Sequence, residues 1–168
     1  IRNDSDFVHP GNIIAFNKSH GVVVESGVNN RILGNPVHSN TFLGIDLGGN
    51  LVTPNDTDDV DGGANNLQNF PVITEVLLDT PSLGKTTIKG TLNSLAGRAY
   101  HIEFFLNEKC DNSGFGEGGI LLEFVASVGS GIEVNGGLTG TVSFQHVVPI
   151  QLSDSFITLT ATDLHETQ

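Results

Sequence analysis

Two stretches of this chain repeat one another at an offset of 23 residues. Residues 11–24 and 34–47 both begin with Gly-Asn and place apolar residues at matching positions. Three apolar pairs coincide at this offset: Ile14 with Val37, Val22 with Ile45, and Val24 with Leu47. A period in the twenties built from short β-type runs is typical of a solenoid, in which each coil packs on the next. Leucine-rich repeats share the period but require a regular leucine ladder, which is absent here.

The repeat predicts two coils of a parallel β-helix, in which short strands turn one face inward. Asn17 and Asn40 occupy equivalent positions. We expect them to stack in the turn between strands, with their side-chain amides hydrogen-bonded along a ladder. Asparagine tolerates the left-handed backbone conformation that such turns use. Gly21 and Gly44 follow four residues later and are expected to allow the next bend.

An acidic run separates the repeat from the rest of the chain. Residues 53–63 contain four aspartates together with Pro, Asn and Gly, which favour turns. Such a run is expected to stay exposed rather than enter a core. We therefore divide the chain into coils that end a longer solenoid over 1–52, a connector over 53–69 and a second module over 70–168.

The second module is predicted to be all-β. Apolar and polar residues alternate over six runs separated by turn-forming clusters, and no window has the 3.6-residue period of a helix. Six or seven short strands in about 100 residues are typical of an Ig-like antiparallel β-sandwich. Four residues are expected to enter its first strand and to cover the open end of the coils: Leu67, Phe70, Val72 and Ile73.

Several strings of the sequence add a family resemblance to this interpretation. They are GNIIAFN, NNRILGNPVHSN, LGIDLGG and VTPNDTDD, followed by NNLQNFPV. Together these strings resemble secreted bacterial right-handed parallel β-helix repeat proteins of the pectate-lyase-like superfamily. The resemblance implies a right-handed helix whose last coil is followed by a β-sandwich module. It also implies an extracellular or bacterial cell-surface location.

Composition excludes several classes of partner. The 168 residues include 7 Lys and Arg against 19 Asp and Glu, a net charge of −12. No cationic surface is therefore available for nucleic-acid phosphates. No apolar run reaches the roughly 20 residues that span a bilayer, so we expect no membrane insertion. The chain has no methionine, and its first residues lack the basic and apolar regions of a signal peptide. We therefore expect no signal peptide in it and expect it to be a fragment of a longer protein.

The resemblance raises the hypothesis of pectin degradation, which the repeat itself can test. Enzymes of that kind use clustered carboxylates with Lys or Arg from neighbouring coils. At the offset of 23, Asp46 lies over Val23 and His20 over Leu43, so no two carboxylates coincide. We therefore predict no catalytic and no cofactor-binding residue. The alternative is a part of a polysaccharide-active enzyme whose catalytic residues lie upstream.

The acidic run supplies four candidate calcium ligands: Asp56, Asp58, Asp59 and Asp61. Calcium prefers several oxygen ligands, which these carboxylates could provide. The spacing does not match an EF-hand loop, because Gln68 falls where the last carboxylate is required. The alternative is a solvated acidic connector that binds nothing.

Two further residues are interpreted as structural. His146 shares an apolar face with Val142, Phe144 and Val148, and we expect a hydrogen-bonded sheet histidine rather than a metal ligand. Cys110 is the single cysteine, so it allows neither an internal disulfide nor a thiolate zinc site. It is expected to be a free loop thiol.

These observations predict a non-catalytic extracellular segment of a larger bacterial surface or secreted protein, with a structural, adhesion or glycan-binding role. Its expected partners are a glycan or another surface protein. The open end of the β-helix offers a surface for self-association. Because Trp is absent and Tyr100 is the single tyrosine, an aromatic platform for a glycan would have to use Phe.

Overall fold

The computed structural model describes residues 11–79, 84–122, 131–135, 140–152 and 154–164, with only the backbone of 131–135. These residues form eleven β-strands and no helix of seven residues or more. The predicted all-β class is therefore confirmed. No helix within the described ranges has the length and apolar character needed to cross a membrane.

Four short strands lie within residues 11–47 and pair in parallel. They are β1 (Ile14–Ala15), β2 (Val22–Val24), β3 (Val37–His38) and β4 (Ile45–Leu47). β1 pairs with β3 and β2 pairs with β4, with Ile14 beside Val37 and Val22 beside Ile45. Both registers have the offset of 23 residues. We call residues 11–33 the first layer and residues 34–69 the second layer.

The turns after β1 and β3 use left-handed backbone at equivalent positions. Phe16 has a φ of 60° and Ser39 a φ of 57°. The sequence assigned this conformation to Asn17 and Asn40, whereas the structure assigns it to the residue before each of them. The asparagine side chains are thereby left to bond between the layers.

Gly21 is required for close approach of the layers rather than for a bend. Its φ lies outside the left-handed region, as does that of Gly44. A Cβ at Gly21 would collide with the Val37 side chain and lie 2.6 Å from the Gly44 carbonyl oxygen. Any larger residue at Gly21 would therefore push the two layers apart.

The acidic run and the residues that follow it contain two 3-10 helices, Thr57–Asp59 and Ala64–Leu67. Asp59 is only 2% exposed. The expectation that this run stays exposed is therefore wrong for Asp59. Its carboxylate accepts hydrogen bonds from the Asn69 amide and the Ser94 hydroxyl, which offset the loss of hydration.

The remaining strands form two antiparallel sheets. β5 (Val72–Leu78), β6 (Thr86–Asn93) and β10 (Thr141–Val148) pair in the order β10–β6–β5. β7 (Ala99–Asn107) is the centre of the other sheet and pairs with β11 (Phe156–Asp163). Two shorter strands, β8 (Ile120–Leu121) and β9 (Gly131–Asn135), pair with different parts of β7.

A hydrophobic cluster joins residues of both antiparallel sheets. Its members on β6, β7 and β10 are Ile88, Leu92, Tyr100, Ile102, Phe104, Phe144 and Val148. The Phe104 ring meets the Phe144 ring edge to face, with 6.1 Å between the centroids. Burial of large apolar side chains such as these contributes about 1.5–3 kcal/mol each. This cluster is the main apolar core of the described residues.

Of the four residues predicted to enter the first strand of the second module, only two do so. Val72 and Ile73 enter β5, but Leu67 lies in a 3-10 helix and Phe70 precedes the strand. The loop between β7 and β8 also contacts the second layer. Its Gly118 exchanges two backbone hydrogen bonds of 2.7 and 2.8 Å with Val37. An antiparallel bridge therefore continues the β1–β3 pair into the second half of the chain.

Candidate functional site

Three asparagine pairs connect the two layers with the same geometry. In each pair the backbone N–H and the Nδ2 amide of the first-layer residue donate to one Oδ1 of the second-layer residue. The distances are 3.1 and 2.8 Å for Asn17 and Asn40, 2.8 and 3.4 Å for Asn12 and Asn35, and 2.9 and 3.0 Å for Asn30 and Asn65. We call these pairs the asparagine rungs.

The 23-residue repeat does not predict the rung between Asn30 and Asn65. Its spacing is 35 residues, which exceeds the spacing of the other two rungs by 12. Most of the extra residues belong to the acidic run, which is an insertion within the second layer. The signal that could have revealed it is the Asn-Asn dipeptide at 29–30 and again at 65–66.

We call the rung between Asn17 and Asn40 the middle rung. The carboxylate of Glu117 accepts hydrogen bonds from Asn40 at its second-layer end. The backbone N–H of Asn40 lies 3.1 and 3.2 Å from its two oxygens, and the Nδ2 of Asn40 lies 2.9 Å from Oε1. Glu103 similarly accepts the Gly34 N–H at 2.8 Å. Both carboxylates are buried. They accept hydrogen bonds from second-layer N–H groups that would otherwise lack an acceptor.

His20 and Asp46 form a second connection between the layers. The Leu43 N–H donates to Nδ1 of His20 at 3.3 Å, so the ring proton lies on Nε2, which faces Oδ2 of Asp46 at 3.4 Å. The Leu51 N–H also donates to that oxygen, at 3.1 Å. Because both ring nitrogens are engaged, His20 lacks the free basic nitrogen of a general base. The offset of 23 placed His20 over Leu43 but did not reveal the contact with Asp46.

Three of the four predicted calcium ligands lie together. Asp56, Asp59 and Asp61 each offer one carboxylate oxygen, and these oxygens lie within 4.8 Å of one another. Asp58 is outside this group and exposed. Its backbone N–H donates to Asn93 at 2.6 Å, and its φ of 62° turns the chain at that point. We call Asp56, Asp59 and Asp61 the aspartate cluster.

Burial and neighbouring charges raise the pKa values of Asp59 and Asp61. Desolvation is the main cause for Asp59, and the charges of Asp56 and Asp61 add to it. The pKa of Asp61 is raised by desolvation and by Asp56. The Oδ1 atoms of Asp56 and Asp61 are inaccessible to solvent and receive no hydrogen bond from the described residues. A proton or a hard cation would satisfy these oxygens.

The aspartate cluster is fixed to the end of β6. Asn69 donates from its side chain to the backbone oxygens of Asp56, at 2.8 Å, and Asn93, at 2.9 Å. Its backbone N–H donates to Asp59 at 2.9 Å. The Ser94 hydroxyl donates to the other oxygen of Asp59. The carboxylates are therefore held by the same groups that join the second layer to the antiparallel sheets.

A cleft of about 490 Å³ lies between the second layer and the sheet of β7 and β11. Its walls are largely apolar, and Asn66 and Thr162 are among its polar residues. The rings of Phe70 and Phe115 meet edge to face on its border, with 5.8 Å between the centroids. Both rings are partly exposed. A cleft of this volume and character is typical of small-ligand sites.

His146 and Cys110 occupy the structural settings that the sequence suggested, with one difference. The His146 ring stacks on Phe104 with 4.7 Å between centroids, and burial lowers its pKa. We expected a hydrogen-bonded ring, whereas this contact is an aromatic one. Cys110 is free and exposed.

Comparison with protein-family models, with curated proteins and with solved structures returned no match for this chain.

Proposed function

We propose that this chain is a non-catalytic extracellular segment of a larger bacterial surface or secreted protein. In this proposal the two layers are coils of a right-handed parallel β-helix and the two antiparallel sheets form an Ig-like sandwich. The segment provides a rigid support, with adhesion or glycan binding at its surface. Its partner is a glycan or another surface protein.

The observation that carries the proposal is that buried carboxylates accept hydrogen bonds at the joint, the place where the second layer meets the part of the chain that forms the sheets. Glu103 on β7 and Glu117 in the loop after β7 each bind a second-layer N–H. Buried carboxylates that are satisfied by amides act as structural acceptors. The joint is therefore well suited to transmit force between the two parts of the segment.

The cleft is the surface best suited to a glycan. Phe70 and Phe115 offer ring faces against which the apolar face of a sugar could pack, and Asn66 offers an amide. Phe is the aromatic residue that the composition leaves available for such a platform.

A panel of polysaccharides that includes pectate tests this proposal. We expect binding without degradation, measured by isothermal titration calorimetry and by absorbance of unsaturated products. Phe115→Ala should weaken binding, whereas Phe156→Ala, which removes an exposed ring outside the cleft walls, should not. Appearance of unsaturated products would overturn the non-catalytic proposal, and equal binding by both variants would remove the cleft from it.

The aspartate cluster supports calcium binding as a second function of the same segment. The observation that favours it is the pair of inaccessible oxygens on Asp56 and Asp61 that receive no hydrogen bond within the described residues. Calcium takes six to eight oxygen ligands, so backbone carbonyls and water would complete its coordination. Bound calcium would stiffen the contact between the insertion and β6.

Calcium binding is tested by thermal melting with added Ca²⁺ and with EDTA. We expect Ca²⁺ to raise the melting temperature through preferential binding to the folded state. Asp61→Asn should abolish the increase, whereas Asp58→Asn, outside the cluster, should retain it. An equal response of both variants would exclude the cluster as the site.

A further inference from the structure

One side of β11 is an unpaired strand edge that lines the cleft. Among the described strands, β11 pairs with β7 alone. Residues 157–163 of β11 all line the cleft between the second layer and the sheet of β7 and β11. The edge of a sheet presents a row of backbone N–H and C=O groups to whatever lies beside it. The cleft therefore offers backbone hydrogen bonds in addition to its apolar walls.

The register of the ladder identifies the backbone groups on this edge. The Leu164 N–H donates to the Ala99 carbonyl at 2.9 Å, in line with the pairing of β11 and β7. In an antiparallel ladder every second residue bonds the partner strand, so the backbones of Ile157, Leu159 and Ala161 point away from β7. No hydrogen bond within the described residues reaches these backbone groups. We call these three residues the free edge.

The two faces of β11 differ in chemistry. The side chains of the free edge pack against the hydrophobic cluster between the sheets. The side chains of Thr158 and Thr160 point to the opposite face, where their hydroxyls donate to the Glu117 carbonyl at 2.8 Å and to the Glu103 carboxylate at 3.4 Å. The side chains of an added strand alternate between the same two faces. Apolar side chains would suit the first face and small hydroxyl side chains the second.

Charge selects the kind of strand that the cleft can attract. The charged residues among the described cleft walls are Asp59, Glu117, Asp163 and Arg31, so acids outnumber bases. The whole chain carries a net charge of −12. Opposite charge speeds association, whereas like charge disfavours it. A cationic segment therefore complements the cleft, and a second copy of this acidic chain does not.

We propose that the free edge binds an extended, cationic segment of another protein as an added β-strand. The backbone of the segment bonds the N–H and C=O groups of the free edge, and its β-branched apolar residues alternate with threonine or serine. Lysine or arginine flanks this run. The inference rests on the part of the proposed function that names another surface protein as the partner. It adds the conformation and the charge of the segment that binds.

The first test uses a synthetic peptide of alternating valine and threonine with two lysines at each end, titrated calorimetrically into the unaltered chain. Two further peptides carry N-methyl groups on one or the other alternating set of residues. Because only one set directs its N–H groups to the free edge, we expect one methylated peptide to lose about tenfold or more in affinity and the other to bind nearly as well as the parent. Equal affinities of the two methylated peptides, or no binding of the parent peptide, would overturn the inference.

The second test removes one donor from the protein. Ala161→Pro deletes an N–H of the free edge and no hydrogen bond of the ladder, a position where a strand tolerates proline. The control is Val76→Pro, because the Val76 N–H points away from β6 by the same alternation and lies outside the cleft walls. Ala161→Pro should weaken peptide binding about fivefold or more, and Val76→Pro should leave it unchanged. Equal affinity of both variants would overturn the inference. If Ala161→Pro does not fold, the methylated peptides decide the question.

Two further measurements test the nature of the occupant. A peptide with glutamates in place of the lysines should bind more weakly, and equal binding would overturn the cationic assignment. A dimer of the unaltered chain that Ala161→Pro abolishes in sedimentation velocity would assign the free edge to a second copy and overturn the inference. The polysaccharide panel measures glycan binding and degradation without the peptide, so failure of the proposed function is distinguishable from failure of this inference.

Discussion

The two layers and the two antiparallel sheets are both β-structure, but different forces hold them together. The strands of the layers have two or three residues, and the layers are joined through asparagine rungs and the contact between His20 and Asp46. Three strands of the sheets have eight residues and β7 has nine, and a cluster of aromatic and aliphatic side chains lies between the sheets.

This difference predicts that the stability of the layers depends more on contacts with the rest of the chain than the stability of the sheets does. An intramolecular hydrogen bond contributes about 0.5–1.5 kcal/mol net, and Gly and Asn bring little apolar burial to balance the entropy of ordering them. The layers therefore depend on contacts beyond themselves. The sheets bury large side chains against one another and can satisfy their own core.

The largest effect is expected when the two regions are separated. Residues 1–69 alone should show no cooperative unfolding, whereas residues 70–168 alone should melt cooperatively. The first fragment loses Glu117, Gly118 and Glu103, which bind its second layer. Circular dichroism melts of the two fragments measure this. A cooperative transition in monomeric 1–69 would contradict the dependence.

Truncation in the core of the sheets should have the next largest effect. Phe104 is fully buried and contacts the rings of Phe144 and His146. Phe104→Ala should lower the free energy of unfolding by about 3–5 kcal/mol through lost burial and a cavity. Urea denaturation measures the change. Phe156→Ala is the control, because that ring is 46% exposed and should change stability by less than about 1 kcal/mol.

Asn40→Asp tests the middle rung. The new carboxylate would face Glu117 and lack the donors that Asn40 supplies, so we expect a loss of about 2–3 kcal/mol near neutral pH. Asn12→Asp is the exposed control and should cost less.

Glu117→Gln should partly rescue the Asn40→Asp variant, because its amide can donate to the new carboxylate. A double-mutant cycle in urea denaturation measures this coupling. Additive effects of the two substitutions would show that the contact between Asn40 and Glu117 contributes no coupling energy.

The aspartate cluster predicts a smaller, pH-dependent effect. The pKa values of Asp59 and Asp61 are raised in the folded state above the ordinary 3.8. The folded protein therefore binds more protons than the unfolded one between pH 3.8 and the raised values. Its stability should rise as the pH falls through that window and should be lowest above it.

Asp61→Asn should consequently stabilise the protein in EDTA at pH 7, by less than about 1 kcal/mol because the side chain is partly exposed. The gain should disappear toward pH 4, and Ca²⁺ should reverse its sign. Urea denaturation at several pH values measures this. The same pH profile in Asp58→Asn would contradict the assignment to the cluster.

The smallest expected effect concerns backbone strain in the second layer. Leu51 has a φ of 76°, is 57% exposed, and donates its N–H to Asp46. Leu51→Gly keeps that hydrogen bond and removes the strain, so we expect a gain of about 0.5 kcal/mol. Val23→Gly, at an exposed strand position, should instead destabilise the protein. A loss of stability in both variants would show that Leu51 contributes through packing.

The sequence predicted much of the fold because its patterns are periodic. Equal spacing of Gly, Asn and apolar residues predicted the pairing of Ile14 with Val37 and of Val22 with Ile45. Alternation along β6 and β10 predicted which side chains enter the core, such as Ile88 and Phe144. Such patterns determine which residues are strand partners and which side chains face the core once strands form.

Other features of the candidate site could not be predicted in this way. The rung between Asn30 and Asn65 is displaced by the insertion, and Asp59 is buried because Ser94 and Asn69 satisfy it. The sequence grouped four aspartates, and the path of the backbone brought three of them together.

The sequence by itself therefore determined the all-β class, the register of the parallel pairs and the alternation of the long strands. Those properties follow from local periodicity, which repeats along the chain. The tertiary structure alone decided that Glu117 would end the middle rung 77 residues away and that His20 would meet Asp46. No period links these residues. The contact of Glu117 depends on how the chain returns to the second layer after β7, and the contact of His20 depends on how the second layer stacks on the first.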